Sequence, residues 1–154
     1  MTPPHLDVSS FKAVVRNTPL VSIDLIITDS EGKVLVGERA NDPAKGFWFV
    51  PGGRIRKGET LASAFHRLLL GETGLSRSIS DAAFLGVFEH HYETNTFNDP
   101  DFGTHYVVLG YRVPIGGRPA IRQDDQHLHM QWMSEAAILD APAVHENTKA
   151  YFRL

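Results

Sequence analysis

The 154-residue chain contains no cysteine. Disulfides, thiolate metal centres and cysteine nucleophiles are thereby excluded, and a reducing compartment fits. No apolar run approaches the roughly 20 residues that a membrane helix needs. A basic excess is also missing. Fifteen Lys and Arg stand against 18 Asp and Glu, a formal net charge of −3, whereas a general nucleic-acid or membrane-surface binder carries a cationic surplus. The first residues, MTPPHLDVSSF, show no basic stretch leading into an apolar core. The expectation is a cytoplasmic protein that engages neither nucleic acid nor membrane. There is no internal repeat and no low-complexity tract.

What is present is ordinary for a globular chain: 42% hydrophobic and 21% charged residues. The length suits a single domain over residues 1–154, large enough to bury about 68–70% of its unfolded surface. Val8 to Val15 reads as a short helix stopped before Thr18-Pro19. LVSIDLIIT (Leu20–Thr28) is rich in β-branched residues and reads as a strand. After a turn at Asp29–Gly32, KVLVGER resumes the sheet. FWFVPGG reads as a short apolar strand ending at Pro51. AFLGVFEHHYE and HYVVLGYRV are strands on either side of a polar loop, TNTFNDPDFGT. MQWM is a short strand, SEAAILD a helix with Ser134 at its N-cap, and a last helix runs from Pro142 or Ala143 to about Phe152. Strands and helices do not alternate regularly, so a mixed sheet with helices on its faces fits better than a parallel α/β fold.

The clearest helix spans Thr60 to Thr73, with Leu61, Ala64, Phe65, Leu68 and Leu69 at helical spacing and Gly74 as its stop. Glu72 falls on the same face as Leu61, Phe65 and Leu68. Burying an unpaired carboxylate is costly, so Glu72 either turns to solvent, pairs with an arginine, or meets a cation. The preceding loop favours the cation. Gly52-Gly53 allows close backbone approach, and Arg54, Arg56 and Lys57 follow. A bare carbonyl, a carboxylate and arginines suit Mg²⁺ with a diphosphate. One more acid stands out. Asp24 lies within the apolar strand VSIDLII and must face solvent, a partner or a site.

The segment GGRIRKGETLASAFHRLLLGETGL resembles the signature of the Nudix hydrolases, G-x5-E-x7-R-E-U-x-E-E-x-G-U. Gly53, Glu59, Arg67, Leu69, Glu72, Gly74 and Leu75 match it. Leu68 and Gly71 stand where the family usually has glutamates. The stretches TPLVSIDLI, GFWFVPGGR, GVFEHHY, THYVVLGYR, DDQH and VHENTKAYF together resemble one branch, the GDP-mannose mannosyl hydrolases, from about Phe11 to Phe152. The resemblance implies an α+β fold, an α/β/α sandwich in which helices flank a central mixed β-sheet. It also implies hydrolysis at sugar carbon rather than phosphorus, with inversion. The alternatives are a Nudix pyrophosphatase cleaving a phosphoanhydride, and a non-catalytic sugar-nucleotide binding module.

The resemblance further implies a site. The Gly52 carbonyl, Glu72 and Gln126 would hold one Mg²⁺, with Mn²⁺ a possible substitute. His127 would be the general base, followed by Leu128 and His129 where the branch tends to have acids. Arg39, Arg54 and Arg67 match positions near the leaving diphosphate, although Arg67 could equally pair with Glu59 and hold the loop. Tyr106 matches a phosphate-contacting tyrosine, and Asp24 and His90 match sugar-pocket residues. His91 points to the opposite face of the strand and is left out. Phe11 and the segment 1–18 match a region used near the guanine and in a homodimer. The implied partner is a small nucleotide sugar.

Overall fold

The computed structural model describes residues 5–117 and 127–154, and of His127 and Leu128 the backbone alone. The strands are β1 (Leu20–Thr28), β2 (Val34–Arg39), β3 (Trp48–Phe49), β4 (Gly52–Arg54), β5 (Ala83–Tyr92), β6 (Thr104–Pro114) and β7 (His127–Met133). The helices are α1 (Val8–Asn17), α2 (Leu61–Thr73), α3 (Glu135–Asp140) and α4 (Glu146–Lys149).

β1 is the axis of a mixed sheet. It runs parallel to β6 from Leu20 opposite Tyr106 to Thr28 opposite Pro114. On its other side it pairs antiparallel with β4, Asp24 opposite Gly52, and with β2 at Thr28 and Val34. β5 lies antiparallel beyond β6, while β3 and β7 pair with β2. The strand alternation in β1 feeds two cores. Ile23, Leu25 and Ile27 pack against Ala64, Phe65, Leu68 and Leu69 of α2. Ile26, with Val34, Val36 and Val50, packs against Ile138, Val144 and Tyr151 from the C-terminal segment. Each fully buried aliphatic of this kind is worth about 1.5–3 kcal/mol. Helices therefore cover both faces, and the expected α+β sandwich is present.

α2 begins where a reciprocal cap allows it. The Thr60 hydroxyl accepts from the Ser63 amide, and Ser63 Oγ accepts from the Thr60 amide at 3.0 Å. It ends at Gly74, whose φ of 79° is the left-handed cap that glycine adopts without strain. Leu61 does not join the buried face; as the first residue of α2 it is 47% exposed and stands outside the core.

Three boundaries differ from the sequence reading. FWFVPGG is two strands, β3 and β4, with a break around Pro51. That residue has no N–H for a ladder, and its carbonyl accepts from Leu25 N at 2.8 Å. β7 is longer than MQWM and takes in the polar residues from His127, since β2 supplies its backbone partners. The last helix starts later, at Glu146. The backbone before it is committed elsewhere: Trp48 N donates to Ala143 O at 2.9 Å and His145 N to Trp48 O at 3.1 Å. His145 Nδ1 then caps the helix by accepting from Asn147 N at 3.0 Å. A 3₁₀ turn, Ala150–Phe152, completes the chain's helical end.

Candidate active site

A cleft of 720 Å³ opens where β1, β4 and β6 meet the end of α2. Phe11, Asp24, Arg39, Gly52, Arg54, Arg67, Glu72, His90 and Tyr106 all line it. These residues come from one helix before the sheet, five strands and α2, and the fold alone brings them together. Gln126 lies outside the described residues. His127 opens β7 with its backbone opposite Arg39, and its side chain likewise lies outside them. His91 is on the other side of β5, stacked on His105 at 4.2 Å, in a separate hollow beside Arg16. Strand alternation had placed it there.

Glu72 is only 7% exposed and lines the cleft with Leu68 and Gly71. The three share the wall that α2 presents, so the two missing glutamates leave an apolar side chain at Leu68 and no side chain at Gly71, where an added Cβ would meet nothing within 4 Å. Leu68 fills the space above Gly53, where an added Cβ would lie 2.5 Å from Leu68 Cδ2. Gly52 is just as constrained from the other face: a Cβ there would collide with Asp24 Oδ1 and the Ile23 carbonyl. Among the described residues no group of three or more His, Asp or Glu is arranged to hold a metal. The donors present are hard oxygens: the Gly52 carbonyl and the Glu72 carboxylate. They fit an ion such as Mg²⁺, which takes one or two carboxylates and completes its shell with phosphate and water.

The cationic wall is made by Arg39, Arg54, Arg56 and Arg67. Arg67 is heavily engaged. Its Nε donates to Glu59 Oε2 at 2.7 Å, and its Nη2 to Glu59 Oε1 at 2.8 Å and to the Arg54 carbonyl at 2.9 Å. The Arg67 fork holds the Glu59 carboxyl below the usual range, although burial opposes it. This clamp fixes the loop between β4 and α2, and with it Arg54. The Arg54 guanidinium lies 4.6 Å above the Phe11 ring. Burial, then the neighbouring Arg67 charge, lowers the Arg54 pKa, which makes it receptive to an anion. Arg39 stands 5.8 Å over the Phe49 ring.

Asp24 lines the same cleft, near enough to Arg39 to feel its charge. Burial raises its pKa to about 7, against the lowering effect of a hydrogen bond from Tyr151 and the charge of Arg39. The Tyr151 hydroxyl donates to Asp24 Oδ2 at 2.5 Å. His90 is also buried, and its Nε2 has no hydrogen-bond partner among the described residues. Burial, then the nearby His145 and His91, lowers its pKa to about 4, so the ring is neutral near pH 7. Tyr92 and Tyr106 stand edge to face at 6.2 Å, and burial raises both hydroxyl pKa values, that of Tyr92 to about 12. Sequence reasoning missed Tyr92 and Tyr151. Tyr92 was findable: it is two residues after His90 on one strand and so shares its face. Tyr151 carries no local signal, because its partner is 127 residues away.

The family model for the NUDIX domain matches residues 18–154. The chain belongs to that family and is a member of the Nudix hydrolase superfamily, whose enzymes use divalent metal ions such as Mg²⁺. Among curated relatives, it is 40% identical over 121 residues to the low-salt glycan biosynthesis protein Agl8 of Haloferax volcanii, covering 79% of this chain and 74% of that protein. It is 39% identical over 70 residues to the ADP-ribose pyrophosphatase of Methanocaldococcus jannaschii, covering 46% and 40% of the two chains. Among solved structures, the MutT protein of Methanosarcina mazei Go1 superposes with a TM-score of 0.71 at 17% identity, over 89% of this chain and 93% of that one. At that identity the likeness concerns the fold alone. No helix among the described residues is long and apolar enough to cross a membrane.

Proposed function

We propose that the protein hydrolyses GDP-mannose, or a closely related GDP-hexose, to GDP and the free hexose with inversion. The observation that carries this is the wall of α2 in the cleft. Glu72 is there, but Leu68 and Gly71 occupy the positions beside it, leaving too few carboxylates on the helix to bind several ions and activate a water against phosphorus. Arginines, a carboxylate and a neutral imidazole line one cleft, the groups that a diphosphate joined to a sugar requires. A relative named for glycan biosynthesis is in keeping with a sugar-nucleotide substrate.

In this reading water attacks C1 as the C1–O bond breaks, and the bonding electron pair leaves on the GDP oxygen. His127 takes the water proton. Arg39, Arg54 and Tyr106 stabilise the departing diphosphate, and Arg67 contributes by fixing Arg54. Asp24 and His90 bind the hexose, and Asp24, ionised above about pH 7, offsets positive charge developing at C1. One bound Mg²⁺, held by Gly52, Glu72 and Gln126, would neutralise the diphosphate, with Mn²⁺ as a substitute. Phe11 lies toward the nucleoside. The enzyme is proposed to act as a cytoplasmic homodimer with segment 1–18 in the interface, and residues 1–154 as one domain.

Hydrolysis in ¹⁸O-labelled water tests the bond cleaved. Label in the released hexose is expected; label confined to phosphate products overturns the reading. That second outcome would favour phosphoanhydride cleavage, which the similarity to an ADP-ribose pyrophosphatase over 70 residues supports.

A further inference from the structure

We infer that Tyr151 is a positioning residue for Asp24: the C-terminal 3₁₀ turn delivers its hydroxyl to one carboxylate oxygen so that the other is presented to the ligand. The inference rests on the proposed role of Asp24 at the hexose.

The geometry is built for this contact on both sides. The two residues lateral to Asp24 in the sheet are glycines, Gly52 on β4 and Gly110 on β6. Gly52 leaves room for Oδ1 on the cleft side. Gly110 leaves room for the tyrosine: an added Cβ would come within 3.2 Å of Tyr151 Cε1 and of Phe88 Cε1. The ring of Tyr151 thus occupies the space that a side chain at position 110 would fill. It stands edge-on to Phe88 at 4.7 Å and is only 2% exposed, so it cannot turn away to solvent. Among the described residues its hydroxyl is the one hydrogen-bond donor to the Asp24 carboxylate.

The turn that carries Tyr151 is itself tied to the site. Thr148 Oγ1 accepts from Val50 N at 3.3 Å, two residues before Gly52. One short C-terminal element therefore braces the strand end that leads to Gly52 and also orients Asp24. A ring placed only to fill the core would need no hydroxyl at this point. Donation to Oδ2 fixes the carboxylate's rotation, which a buried strand position alone leaves open.

The test compares Tyr151→Phe in two backgrounds, with GDP-mannose and Mg²⁺. The variant keeps the ring and loses the donor. In the wild-type background kcat is expected to fall at least tenfold, with KM changed less than threefold. In the Asp24→Asn background the same substitution is expected to change kcat less than twofold, because the group it positions is already altered. Equal losses in both backgrounds, or no loss in either, overturn the inference. Gly110→Ala leaves the Tyr151 hydroxyl and the Asp24 carboxylate intact but presses on the Tyr151 ring, and is expected to reproduce the kcat loss while the thermal transition stays cooperative; unchanged kcat there counts against it. If the wild type turns over no GDP-hexose, the substrate reading fails, and the positioning is read structurally. In crystals of Tyr151→Phe, an Asp24 carboxylate rotated away from Gly52 sustains it, and an unmoved one overturns it.

Discussion

Arg67 shows how much of one side chain's chemistry can be spent on geometry. Its fork spans both Glu59 oxygens and the Arg54 carbonyl, and a lysine has neither the planar fork nor the reach to do so. Arg67→Lys is expected to cost about 1–3 kcal/mol in urea denaturation, since it leaves a half-buried carboxylate and a carbonyl short of donors. Activity is expected to fall with it, because the loop that aims Arg54 loosens. Glu72 answers differently. Glu72→Gln keeps the shape but removes the charge that suits a hard cation, so stimulation of turnover by added Mg²⁺ is expected to shift to at least tenfold higher metal concentration, measured by titrating the ion.

At the scale of the element, α2 is the part of the fold most open to reading from sequence. Its period and its stop at Gly74 are local signals that stand in the structure, while Thr60, read as the first helical residue, is instead its cap. Thr60→Ala should lower stability by about 1 kcal/mol, checked by the thermal midpoint, with no change in the cleft. β1 was equally legible, because a β-branched run of this length has few other uses. The candidate residues named from the resemblance were reached because the motif fixes their spacing, and the described ones do converge on one cleft. The failures have different causes. FWFVPGG broke in two at Pro51, which has no N–H for a ladder. The last helix started late because the backbone before it bonds to Trp48 across about a hundred residues. Tyr151 was missed for the same reason. Pairing over such distances leaves no period or cap in the local sequence.

For the whole molecule, two titratable groups of the cleft, Asp24 and His90, tilt stability in opposite directions. Asp24 keeps its proton up to about pH 7 in the folded state, whereas an unfolded aspartate has released it near pH 4. The folded state holds the extra proton across that window, so this group lowers stability as pH rises through it. His90 resists protonation down to about pH 4, while the unfolded chain takes up the proton near pH 6.5. This group lowers stability as pH falls through that window. Each slope approaches about 1.4 kcal/mol per pH unit at most, and between about pH 4 and 6.5 they largely cancel. Relative to wild type, Asp24→Asn should therefore gain stability as pH rises from 4.5 to 6.5, and His90→Asn should lose it. Denaturation midpoints across that range check both; parallel curves for the two variants contradict the burial of these groups in their neutral forms.

The distance between Asp24 and Tyr151 along the chain has a consequence for synthesis. Asp24 is made early, and its partner follows 127 residues later. At typical translation rates of about 5–20 residues per second, the aspartate waits on the order of 6–25 s. Until β4 and β6 follow, LVSIDLIIT is an apolar, β-prone stretch without the strands that pair along it. A charge in the middle of such a stretch is the kind of gatekeeper that opposes strand-to-strand aggregation. In the nascent chain Asp24 is ionised and guards its own strand. Only when the last turn docks does the same carboxylate lose its solvent and become part of the cleft.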